Sequence, residues 1–112
     1  MDYPKNELFY VLGPDGKTPQ ICPTSAEWTE WMREADARNA RRVALDELPN
    51  GVAVSTVFLG LRHGWPWRLD VFETLVAGES GPASRRVARR YDTWDDAAAG
   101  HAAVVEEVRG TP

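Results

Sequence analysis

The sequence predicts an α+β fold: one domain, residues 1–112, in which a single antiparallel, mostly meander sheet of about five to six strands carries two amphipathic helices. Three observations predict it. Short runs rich in β-branched and aromatic residues are separated by Gly, Pro and Asn turn signals. Two longer segments place apolar residues three and four apart, and each follows a threonine suited to capping a helix. Tight turns between consecutive strands require antiparallel pairing.

Residues 8–12 (LFYVL) read as a first strand, and Gly13-Pro14-Asp15-Gly16 turns it into a return arm over 18–22. Pro23 closes that arm. Thr24-Ser25-Ala26-Glu27 has the form of a capping box, so a helix starts near residue 25. Trp28, Trp31, Met32 and Ala35 form its core face, and Asn39, tolerant of left-handed backbone, marks its end. Strands follow over 43–48 and 52–61, divided by Pro49-Asn50-Gly51. The second is apolar on both alternations, which predicts a central strand covered on both faces, or covered on one and paired with a partner chain. The loop Arg62-His63-Gly64-Trp65-Pro66-Trp67 leads to a strand over 68–76, a turn over 78–82, and a last strand over 85–91. Thr93 then caps a second helix with Asp95 and Asp96 in its first turn, where negative charge meets the positive end of the helix dipole. Trp94, Ala97, Ala98, His101, Val105 and Val108 make its predicted apolar stripe, and Gly110 its stop. Gly100, in mid-helix, is worth about 1 kcal/mol less than alanine, so its presence implies close packing against a neighbour.

Composition narrows the function classes. The chain is 43% hydrophobic and 27% charged with five Trp, which is globular rather than disordered. A net charge of −4 opposes nucleic-acid binding and attraction to an anionic membrane. No run approaches the roughly 18 apolar residues of a spanning helix, and the N-terminal MDYPKNE lacks the pattern of a signal peptide, so the expected location is the cytoplasm. The lone Cys22 has no disulfide partner and reads as a small buried side chain. Neither a metal framework nor a nucleotide or hydrolase motif is present, and no cofactor is expected.

Three side chains are candidates for chemistry: His63, Glu73 and His101. His101 falls on the apolar stripe of the second helix, where a histidine is most often a hydrogen-bonded core residue. Leu69, Val71, Glu73 and Leu75 are predicted to share one strand face, leaving the Glu73 carboxylate half-buried and in need of His101, Arg68 or an arginine of the 85–90 run. Convergence of the three would make a small pocket for catalysis or a small-molecule ligand. His63 sits beside Trp65 and Trp67, whose aromatic surface on a loop suits binding. Arg85, Arg86, Arg89 and Arg90 form the basic cluster, able to hold a phosphate or an acidic protein surface, or simply to protect a sheet edge.

The strings Val54-Ser55-Thr56-Val57-Phe58-Leu59-Gly60, His63, Phe72-Glu73-Thr74, Arg90-Tyr91-Asp92-Thr93-Trp94 and Gly100-His101 resemble, in that order, the running signature of a family of short uncharacterised phage and prophage proteins, found largely in actinobacterial phages. The resemblance covers the chain from about Leu8 to Val108. It implies a phage-encoded accessory protein acting in the host cytoplasm, in host takeover or defence evasion. With two histidines and one cysteine as its catalytic inventory, the leading expectation is a non-catalytic protein that binds a host or phage protein. The alternatives are a small enzyme or ligand-binding protein using His63, Glu73 and His101, and a homodimeric assembly protein paired through the 52–61 strand or its neighbour.

Overall fold

The computed structural model describes residues 8–109. The elements are β1 (Tyr10–Leu12), β2 (Pro19–Ile21), α1 (Ser25–Ala37), β3 (Arg42–Glu47), β4 (Ala53–Phe58), β5 (Phe72–Ala77), β6 (Arg85–Tyr91) and α2 (Trp94–Arg109). The α+β class holds, but the sheet is split. β1 and β2 form a separate hairpin, and β3-β4-β5-β6 form an antiparallel meander. The hairpin meets the meander through the Phe9–Leu61 bridge and a hydrogen bond of 2.8 Å from the Tyr10 amide to the Gly60 carbonyl. Gly60, at φ 78°, bends the chain just past β4, so a continuous ladder cannot extend onto β1. The residue 1–7 segment read for a leader and the Gly110 stop lie outside the described residues. No described helix is long and apolar enough to cross a membrane.

One face of the meander packs on α2. Strand alternation sends Val54, Thr56 and Phe58 from β4 and Phe72, Thr74 and Val76 from β5 to that face, where all six are buried. Ala97, His101, Val104 and Val105 of α2 fill the space opposite. The helix stripe is therefore rotated from the predicted one: Gly100 and Val104 are inside, whereas Ala98 is exposed. The other face of β4, carrying Ala53, Ser55 and Val57, is only half-buried, so this strand is covered on one side. Its two edges are occupied by β3 and β5, which leaves β3 and β6 as the strands with an open edge.

Helix α1 lies mainly against β1, with only Ala35 fully buried, and reaches this face at its Phe58 end through Trp31. Trp28 and Trp31 are half-buried: the Trp28 indole N–H donates to the Gly60 carbonyl at 3.0 Å, and Trp31 meets Phe58 edge-on at 5.8 Å between ring centroids. Thr24 caps α1 by accepting from the Glu27 amide at 3.1 Å, and Asn39 takes φ 54° just past its end.

The strand predicted to begin at residue 68 begins instead at Phe72. Asp70 adopts φ 50°, which breaks the period-two alternation, so Leu69 and Val71 turn into the core while Glu73 and Leu75 face away from α2. The predicted common face of Leu69, Val71, Glu73 and Leu75 does not exist.

Candidate functional site

The chain between β4 and β5 forms a closed loop. Its neck is tied by the Leu59 amide donating to the Val71 carbonyl at 2.7 Å, and by the His63 and Gly64 amides donating to the Leu69 carbonyl at 3.0 and 3.1 Å. Inside it the Arg62 guanidinium acts as a hub. Nε donates to the Gly64 carbonyl at 2.9 Å and Nη2 to the Pro66 carbonyl at 3.0 Å, and Cζ lies 3.8 Å from the Trp65 ring centroid. The Trp65–Pro66 peptide is cis. From outside, the Asp92 carboxylate accepts from the Leu69 and Asp70 amides at 2.9 and 2.8 Å, fastening the descending limb to the β6–α2 junction. Arg68 pairs with Asp70, its hydrogen bond to that carboxylate raising the already high guanidinium pKa further.

What this scaffold presents is Trp67. That residue is 90% exposed, and Trp65 beside it is 41% exposed. An indole left in water on a tethered loop forgoes about 1.5–3 kcal/mol of burial, which a partner surface could recover. His63 is exposed on the same loop, its Nδ1–H donating to the Leu61 carbonyl at 3.0 Å.

His101 belongs to a different construction, a line of polar groups between α2 and the sheet. Its Nε2 bonds Asp46 Oδ2 at 2.7 Å and its Nδ1 bonds Thr56 Oγ1 at 2.7 Å; Thr56 Oγ1 bonds Thr74 Oγ1 at 2.5 Å, and Thr74 Oγ1 bonds the Tyr91 hydroxyl at 2.9 Å. With a neutral imidazole every group has a role: Nε2–H donates to Asp46, and Nδ1 accepts from Thr56, which accepts from Thr74, which accepts from Tyr91. No buried side-chain nitrogen or oxygen among the described residues lacks a partner. The sequence Thr56, His101, Asp46 has the connectivity of a nucleophile, base and orienting acid. Thr56 has no exposed surface, however, so no substrate atom can reach its hydroxyl in this conformation.

The three predicted catalytic candidates are not brought together. Glu73 lies on the helix-free face, where its carboxylate accepts from Arg90 Nε at 3.1 Å, while His101 lies on the opposite face and His63 on the loop. The four arginines of β6 are likewise dispersed. Arg86 pairs with Glu79, Arg89 with Glu107 of α2, and Arg90 with Glu73, whereas among the described residues Arg85 bonds only the Ser84 carbonyl. Among the described residues no group of three or more His, Cys, Asp or Glu side chains could hold a metal ion. Arg62 and Asp92, which organise the loop, were not among the predicted site residues. An arginine opening an aromatic loop was the available signal for the first; nothing near Asp92 announced the second.

Compared with known proteins, the chain matches no family model, no curated protein and no solved structure.

Proposed function

We propose that the chain is a non-catalytic binding protein that docks Trp67, and with it Trp65, into an apolar pocket on a partner protein. The observation that carries this reading is the 90% exposure of Trp67 on a loop fastened internally by Arg62 and externally by Asp92. Tethering lowers the conformational entropy lost on binding, and a large aromatic side chain is the commonest kind of interface anchor. The buried position of Thr56 and the separation of His63, Glu73 and His101 favour binding over turnover. The resemblance to phage and prophage proteins supports an accessory role in a host cell, with a host or phage protein as the partner.

Native mass spectrometry of tagged protein drawn from an expressing or infected host lysate tests this. The wild-type chain is expected to retain a protein at fixed stoichiometry, and the Trp65→Ala/Trp67→Ala double variant, folded by circular dichroism, to lose it. A partner held equally by both proteins would remove the loop as the contact surface.

A further inference from the structure

The end of the meander farthest from the Trp67 loop has a feature that the binding role does not use. There the β3–β4 and β5–β6 turns come together: Gly78 is packed so closely on Gly51 that a β-carbon on it would lie 2.6 Å from the Gly51 carbonyl oxygen. Between these turns and the strand ends, on the helix-free face, is an open groove of about 530 Å³. Its floor is the Ala53–Ala77 cross-strand pair, Pro82 forms a wall, and Asn50 and Arg85 supply its polar side chains. That volume is in the ordinary range for a small organic molecule and larger than an inorganic ion needs.

The polar groups have unused capacity of one sign. Asn50 Oδ1 accepts from the Val52 amide at 3.0 Å, which orients the side chain and leaves its NH2 with no partner among the described residues. Arg85 differs from the other arginines of its strand. Arg86, Arg89 and Arg90 each have a carboxylate, but among the described residues the Arg85 guanidinium hydrogen-bonds only a backbone carbonyl. Guanidinium and carboxamide donors beside a small-residue floor are complementary to a carboxylate or phosphate carried on a compact body. Among the described residues no aromatic side chain lines the groove, so a nucleobase finds none of these rings to stack on.

We propose that this groove is a binding site for a small organic anion, its oxyanion held by Arg85 and Asn50 and its body lying on Ala53 and Ala77. Carboxylates and phosphate monoesters share the required chemistry.

The test is a titration of the 15N-labelled full chain at constant ionic strength, with N-acetylglycine as the carboxylate probe and glycerol 3-phosphate as the phosphate probe. Saturable shifts confined to the Gly51, Gly78 and Gly81 amides and Arg85 Nε–H are expected with at least one probe, and which one saturates identifies the anion. Arg85→Gln should weaken that affinity roughly tenfold. Asn50→Asp keeps the acceptor for the Val52 amide while replacing the donor with a negative charge, and should weaken it as much. Trp67→Ala should leave it unchanged. The proposal is overturned if neither probe saturates by about 20 mM, a limit set by the weak affinity of such small ligands. It is overturned equally if Arg85→Gln binds like the wild type.

Discussion

Gly100 lies flat against the phenol ring of Tyr91, so close that a β-carbon on it would overlap the ring's Cε1, Cζ and hydroxyl oxygen. The helix-weakening glycine is thus the condition for α2 to approach β6, and that approach positions the Tyr91 hydroxyl to bond Thr74. Gly100→Ala gains about 1 kcal/mol of helix propensity but forces a buried ring to move. We expect a net loss of about 1–2 kcal/mol, read as a lower urea midpoint at unchanged m-value. A stabilised variant would show that the helix and strand can separate at little cost.

Thr56 bonds both His101 and Thr74, so its hydroxyl is the joint of the buried polar line. Thr56→Val keeps the shape but leaves the imidazole Nδ1 without its donor, an expected cost of about 1–3 kcal/mol. Asp46→Ala should cost less, because the Asp46 side chain is 48% exposed and water can take its place at Nε2. Thr56→Val and Thr74→Val should also be non-additive by at least about 0.5 kcal/mol in a double-mutant cycle. Additive losses would mean that the two hydroxyls act independently.

Local grammar and the antiparallel meander it implies were legible in the sequence, and long-range side-chain contacts were not. Thr24, Thr93 and Asn39 mark the helix ends because capping is settled within a few residues, and Thr93 does accept from the Asp96 amide at 3.1 Å. The mid-helix position of Gly100 implied a close neighbour without naming Tyr91. By contrast, the start of β5 hinges on one left-handed residue, Asp70, whose conformation is held by the distant Asp92 carboxylate. The polar line joins residues from five elements. Its traces in the sequence are His101 on an apolar helix stripe and a threonine at the centre of each of two apolar alternations, Val54-Thr56-Phe58 and Phe72-Thr74-Val76, which read equally well as ordinary strand composition.

The β1–β2 turn carries the clearest electrostatic signature. Asp15 is lowered from the ordinary 3.8 to about 2, first by the Thr18 hydroxyl, then by the Thr18 and Lys17 amides, all of which donate to the carboxylate. Because the folded value lies below the unfolded one, the turn's contribution is complete above pH 3.8 and is lost as pH falls toward 2. A carbon-detected NMR titration should place the Asp15 midpoint near 2, and Thr18→Ala should raise it by removing the largest cause while leaving both amides. A midpoint unmoved by that substitution would assign the shift to the backbone alone.

Arg62 and Trp67 divide the loop's labour, so their alanine variants should separate. Trp67 has almost no intramolecular contact to lose, and Trp67→Ala should change stability by less than about 0.5 kcal/mol. Arg62→Ala removes the bonds to the Gly64 and Pro66 carbonyls and the stacking on Trp65, so the loop should open locally while the meander stays folded. Hydrogen exchange reads this directly, because the His63 and Gly64 amides are held on the Leu69 carbonyl. They should exchange at least about tenfold faster in Arg62→Ala and at the wild-type rate in Trp67→Ala. Partner binding should then fall in both variants for different reasons: in one the anchor is gone, and in the other it remains but must be ordered again at each encounter. Unchanged exchange in Arg62→Ala would mean that the Leu59–Val71 neck and the Asp92 carboxylate suffice to shape the loop, and the preorganisation argued for Trp67 would then rest on them.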